Sequence, residues 1–165
     1  MGLLFALVLI YGAFTMMQNQ QKSAYVAAAN QGQAPTGVNP NIDTLARTIY
    51  GEARGEGVQG MQAVANVVMN RVAAGQGTPA EVCLAPYQFS CWLPGNPNLS
   101  VILAVTTADP VFVEAMQIAA EAVAGTLPDI TGGAVNYYNP SLVNPSWAGS
   151  MRVTARIGNQ VFGVA

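Results

Sequence analysis

The pattern of apolar and polar positions divides the chain into three parts. From Met1 to Gln21 no side chain is charged, and Leu3 to Tyr11 is nearly unbroken apolar sequence. Carried on to Met17, this run makes a helix of about 25 Å at 1.5 Å per residue, close to the lower limit for crossing a bilayer. Residues 23–41 carry no charge and are rich in Ala, Asn, Gln, Gly and Pro, which predicts a flexible tether. From there the pattern turns periodic, and a single domain is expected over 42–165.

Within that domain, Asn41 or Asp43 is placed to cap a helix reaching Ala53. Its apolar positions Ile42, Leu45 and Ile49 follow a helical period. Leu45, Ile49 and Glu52 stand at i, i+4 and i+7, so Glu52 projects from the core-facing stripe. Gly55 and Gly57 break this helix. A second is predicted over Val58–Ala74, with Met61, Val64, Ala65, Val68 and Val72 buried, and Asn66 and Asn70 read as capping or local hydrogen bonding. Gly75 to Pro79 reads as a loop and Cys83 to Pro97 as an aromatic, turn-rich stretch. A third helix is predicted over Pro110–Gly125, with Glu114 and Glu121 on a solvated face. Three strand-like runs follow: Ala134–Tyr138, Arg152–Ile157 and Gln160–Phe162, the last two joined at Gly158-Asn159. The fold class is α+β, a helical body with a small antiparallel sheet.

For the N-terminal run, a cleaved signal peptide would need a basic leading region, which Met1-Gly2 supplies only through its amine. Ala27-Ala28-Ala29 could serve as its cleavage site but lies far beyond the run. A buried core helix fits poorly with the polar stretch from Gln18 to Lys22. The favoured reading is an uncleaved membrane anchor over 1–22. Lys22 alone would hold the domain in the cytoplasm. Cys83 and Cys91, eight residues apart, suit instead a local disulfide in an oxidising compartment, with two unpaired thiols as the other reading. The domain is then expected to face the periplasm or the cell wall.

Composition narrows the chemistry. Only 8% of the 165 residues are charged and 52% are hydrophobic. The formal net charge is −2, and the six basic residues are scattered, so no nucleic-acid partner is expected. The chain has no histidine and no clustered thiols, so neither a zinc site nor any other cofactor is expected. Acid–base chemistry then falls to carboxylates, tyrosines, cysteines or a bound metal, and the natural place to look is Tyr50 to Gly57, which places Glu52 and Glu56 together at a helix-to-loop junction. A carboxyl held against apolar neighbours loses hydration of its ionised form and keeps its proton more readily, which makes a general acid. Glycan cleavage needs such a donor and a groove for sugars. Tyr87, Gln88, Phe89, Trp92, Tyr137, Tyr138, Asn139 and Trp147 could build one, although core packing is equally open for any single ring. For Tyr137 and Tyr138, strand alternation buries one ring and presents the other.

Several ordered motifs carry a resemblance. Leu45-Ala46-Arg47-Thr48-Ile49-Tyr50-Gly51-Glu52-Ala53-Arg54-Gly55-Glu56 closely resembles the signature of the SleB-like cell-wall hydrolases, the family of the spore-cortex-lytic enzymes. Gln62 to Val72, Gln88-Phe89-Ser90-Cys91-Trp92, Gly132-Gly133-Ala134, Tyr137-Tyr138-Asn139-Pro140 and Ile157 to Phe162 continue the pattern. The resemblance implies a lysozyme-like fold and cleavage between N-acetylmuramic acid and N-acetylglucosamine in peptidoglycan, as a lytic transglycosylase. Glu52 would be the catalytic residue, with Glu56, Gln88, Phe89, Ser90, Trp92, Tyr137, Tyr138 and Asn139 on the substrate side. One departure stands out: the family pattern often carries histidine where this chain has Gln160. Two alternatives stay open, a hydrolysing muramidase using Glu52 and Glu56, and a non-catalytic wall-binding or structural virion protein. A phage lysis protein, a virion enzyme and a bacterial envelope enzyme fit the sequence equally well.

Overall fold

The computed structural model describes residues 39–164. The expected anchor over 1–22 and most of the tether lie outside the described residues. Among the described residues, no helix is long and apolar enough to cross a membrane.

Within residues 39–164, five helices precede a three-stranded sheet. They are α1 (Pro40–Ala53), α2 (Gly57–Ala73), α3 (Pro79–Cys83), α4 (Pro97–Ala104) and α5 (Pro110–Val123), with short 3-10 turns at Arg54–Glu56 and Ser90–Trp92. Four of the five start alike, with a capping residue followed by proline: Asn39-Pro40, Thr78-Pro79, Asn96-Pro97 and Asp109-Pro110. The cap accepts from an orphan backbone N–H, and the proline supplies a fixed φ where no N–H is needed. At α3 the cap is reciprocal, because the Glu81 carboxylate also accepts from the Thr78 N–H. That Thr-x-x-Glu box opens at the end of what reads as loop in the sequence, and α4 begins at Pro97, where the turn-rich stretch ends. Both are short, five and eight residues, and too short to show a period.

Helix α1 is the axis of the body. Every residue from Asp43 to Gly51 is buried, and α2, α3, α4 and α5 all pack on it. The helix is therefore enclosed on all sides, where the sequence predicts a single buried stripe. Enclosure demands partners for its polar side chains. Arg47 Nε donates to Asp43 Oδ2 at 2.9 Å, its Nη1 donates to the carbonyls of Ile102 and Val105, and its guanidinium lies 5.3 Å from the Phe112 ring centre. Thr48 Oγ1 donates to the Thr44 carbonyl at 2.7 Å and accepts from Trp92 Nε1 at 2.9 Å.

The sheet has the order β1-β3-β2, with β1 at Asn136–Tyr138, β2 at Arg152–Ile157 and β3 at Gln160–Val164. Both outer strands run antiparallel to β3. Tyr137 pairs with Phe162 and Phe162 with Ala155, so these three share the face that packs on Ala63 and Val67 of α2.

The expected disulfide is not formed: Cys83 and Cys91 are both free and both buried. Burial pushes the Cys83 thiol up to about 12 and raises that of Cys91 further, so both are protonated at neutral pH in the fold.

Two outcomes test this packing. Replacing Arg47 with alanine leaves Asp43 buried without its cation and should cost about 3 kcal/mol of unfolding free energy in urea titration. The thiols keep protons in the fold that the unfolded chain releases near pH 8.5. Their contribution is therefore full below about pH 8.5 and is lost as pH climbs towards 12. The urea midpoint should fall over that window, and less steeply in Cys83→Ala.

Candidate active site

Glu52 stands at the C-terminal end of α1, the first half-exposed residue after the buried run. Its surroundings are more polar than the apolar-stripe argument predicts. Ser90 Oγ donates to Oε1 at 3.2 Å and the Cys91 backbone N–H donates to the same oxygen at 3.0 Å. From the other side, Tyr137 Oη donates to Oε2 at 3.1 Å. Three donors from two separate elements thus fix the carboxylate at the junction of helix and sheet.

Each donor is held in turn. The turn carrying Ser90 and Cys91 lies hard against α1 because residue 51 is glycine. A Cβ there would stand 2.8 Å from Cys91 Cβ and 2.9 Å from Ile102 Cγ2, closer than real contacts allow. Tyr137 stacks on Phe162 with ring centres 5.6 Å apart. Burial, and the Glu52 carboxylate beside it, hold the Tyr137 hydroxyl well above its usual range, so it stays a proton donor to Glu52.

Arg71 links the two sides. Its Nε donates to the Val135 carbonyl at 2.8 Å, just ahead of β1, and its Nη1 donates to Gln88 Oε1 at 3.0 Å, just ahead of Ser90. The guanidinium lies 5.4 Å from the centre of the Phe89 ring. One buried arginine on α2 therefore indexes both elements that hold Glu52. Asn66 and Asn70 fasten the same segment. Asn66 donates to the Pro128 carbonyl and accepts from the Ile130 N–H, and Asn70 donates to the Ala134 carbonyl. Their bonds are long-range, where capping or local bonds are expected from sequence. Asp129 braces the loop from within, accepting from the Thr131 and Gly133 N–H groups at 2.7 Å each. The readable signal for Arg71 was a charge at helical spacing from Val64, Val67 and Val68, on an otherwise apolar helix face.

The remaining sequence-predicted residues separate into groups. Phe89 and Trp92 are only 1% and 2% exposed. They are core residues and offer no ring to a sugar. The correction follows from the enclosure of α1, since Trp92 fills space beside Thr48 and Phe89 carries Arg71. Gln88 and Ser90 are exposed; Ser90 bonds to Glu52, and Gln88 accepts from Arg71. Tyr138 is half-buried on the opposite sheet face from Tyr137, edge-on to Trp147 with centres 5.6 Å apart. Both rings of the tyrosine pair are thus half-buried, one to each face. Asn139 shapes the next turn, accepting from the Ser141 N–H at 2.9 Å. Tyr87 is 69% exposed and has φ 60°, a left-handed conformation rare for a bulky residue, which turns its ring to solvent. Glu56 points away from Glu52's donors and bonds to Asn159 in the β2–β3 turn. Gln160 opens β3 half-buried, and its Oε1 has no hydrogen-bond partner in the structure. Among the described residues, no group of three or more His, Cys, Asp or Glu side chains is placed to hold a metal ion.

The site is a single carboxylate held by three donors at the helix–sheet junction. The cell wall hydrolase family matches residues 55–163, a stretch that opens just after Glu52. The spore cortex-lytic enzyme of Bacillus cereus is 29% identical over 139 residues, covering 81% of this chain and 48% of that protein. The enzyme of the same name from Oceanobacillus iheyensis is 30% identical over 133 residues, or 78% and 43%. The chain thus spans about half the length of these relatives. Among solved structures, the catalytic domain of the germination-specific lytic transglycosylase SleB from Bacillus anthracis superposes with a TM-score of 0.61 at 28% identity. That match covers 79% of this chain and 100% of that one. The catalytic domain of Bacillus cereus SleB gives 0.61 at 27%, covering 80% and 96%. The chain belongs to the cell wall hydrolase family, in its SleB-like branch.

The geometry makes a direct forecast. Tyr137→Phe removes the hydrogen bond to Glu52, worth about 1 kcal/mol, and should lower kcat on glycan roughly 3- to 10-fold. Steady-state kinetics, with melting temperature as the folding control, checks it.

Proposed function

We propose that the chain cleaves peptidoglycan between N-acetylmuramic acid and N-acetylglucosamine as a lytic transglycosylase, with Glu52 as its single acid–base residue. The observation that carries this reading is the convergence of Ser90, Cys91 and Tyr137 on one carboxylate, while the other nearby carboxylate, Glu56, is occupied elsewhere. Membership of the cell wall hydrolase family supplies the substrate class.

The chemistry then runs through one side chain. Protonated Glu52 gives its proton to the glycosidic oxygen as the bond from that oxygen to the muramoyl C1 breaks. The resulting carboxylate accepts the proton of the muramoyl 6-hydroxyl as its oxygen bonds to C1. The products are a 1,6-anhydro end and a free 4-hydroxyl, and Glu52 is again protonated, ready for the next bond. No water is consumed. Donors fixed on the carboxylate hold it in place through both proton transfers, so little reorganisation accompanies either. Exposed Tyr87, Gln88 and Ser90, with Tyr138 and Asn139 across the junction, are the side chains we assign to the glycan. The apolar segment over 1–22 is assigned to a membrane, with the domain towards the wall. Protease added to intact spheroplasts should then degrade the domain.

The test is digestion of purified sacculi by the full chain beside Glu52→Gln, with product masses recorded. Anhydro ends from the parent and at least a thousandfold loss in the variant are expected, on the order seen when a catalytic proton donor is removed. Reducing ends would show a hydrolase. An active Glu52→Gln variant sinks the assignment of Glu52, and an inactive parent leaves a wall-binding protein.

A further inference from the structure

Glu56 is the acidic residue closest to Glu52 in sequence, and its surroundings are unusual. It closes the 3-10 turn after α1 and reaches across to the tip of the β2–β3 hairpin. Oε2 accepts from the Asn159 backbone N–H at 3.1 Å, and the Asn159 side-chain amide donates to Oε1 at 3.1 Å and Oε2 at 3.2 Å. Two glycines make room for it. A Cβ at Gly60 would overlap the Glu56 Cβ, and a Cβ at Gly158 would overlap its Oε2. Gly158 also has φ 57°, as the two-residue turn requires.

What lies beyond the contact gives it meaning. Asn159 leads directly into β3, where Phe162 pairs with and stacks under Tyr137, which in turn donates to Glu52. The contacts close a ring: Glu52 along the chain to Glu56, across to Asn159, along β3 to Phe162, across to Tyr137 and back to Glu52. We infer that Glu56 and Asn159 form a clasp that sets Tyr137 against Glu52, making Glu56 a positioning residue rather than a second catalytic carboxylate. This rests on the reading of Glu52 as the acid–base residue. A base that activates water must aim a lone pair at the scissile bond. Both oxygens of Glu56 are instead turned to the hairpin.

The clasp is tested in the full chain on soluble uncrosslinked glycan strands. Asn159→Ala and Glu56→Ala should each lower kcat about tenfold with KM unchanged, as expected when a reacting group is slightly misplaced. Because both break one contact, the double variant should be no worse than the poorer single. The exchange Glu56→Gln with Asn159→Asp keeps a donor facing an acceptor and should restore most of the loss, which also covers single variants that fold poorly. The decisive readout is coupling at a distance: Tyr137→Phe should cost much less in the Asn159→Ala background than in the parent. Parental kcat in Asn159→Ala, with Glu56→Gln inactive and no rescue by the exchange, overturns the inference in favour of a catalytic Glu56. Multiplicative losses for Tyr137→Phe and Asn159→Ala overturn it in favour of a contact that only stabilises. If Glu52→Gln stays active, it is the acid–base reading that has failed, and the two failures are distinguished by that variant.

Discussion

Everything in this domain is arranged around a helix that has no outside. From Asp43 to Gly51, α1 is buried; Thr44 Oγ1 stays without a hydrogen-bond partner, but Arg47 and Thr48 find theirs within the protein. They find them on α4 through Ile102, on α5 through Phe112, and on the turn after α3 through Trp92. Each partner fixes one neighbour's position relative to the helix. When the helix finally surfaces at Glu52, its position is determined by everything packed along the preceding turns.

The same logic governs how the site is completed. No single element of secondary structure supplies the environment of Glu52. One donor pair comes from a 3-10 turn and the third from an edge strand more than forty residues later in the chain, and both are referenced to α2 through Arg71. A buried cation bonded to backbone and amide oxygens of two segments acts as a spacer of fixed length between them. Its cost of burial, which lowers the arginine's affinity for its proton, is met by the neutral acceptors and by the Phe89 face.

Much of this was legible in the residues alone, for identifiable reasons. Helices α1, α2 and α5 are long enough to carry a period, and the Gly158-Asn159 turn marks the hairpin. Glu52 stood out because ionisable groups are scarce. The short helices α3 and α4 were not legible by period, although their cap-proline starts were present. Phe89 and Trp92 were misplaced because an aromatic in a turn-rich stretch looks the same whether it faces solvent or a neighbouring helix. Only the enclosure of α1, a property of the assembled body, decides between the two. The thiols were misread for a related reason: a spacing of eight suits a disulfide, while the depth that keeps each thiol protonated is invisible in sequence.

The strand order has a consequence for how the molecule comes into being. β3 is the last strand in the chain, yet it is the central one, and β1 and β2 have no contact ladder except through it. A polypeptide emerging N-terminus first can wind α1 and expose Glu52 early. The tyrosine that completes the site has no strand to lie on until Gln160–Val164 has left the ribosome. The nascent chain thus carries Glu52 well before it can hold Tyr137 against it, and the site's hydrogen bonds come together only at the end of synthesis.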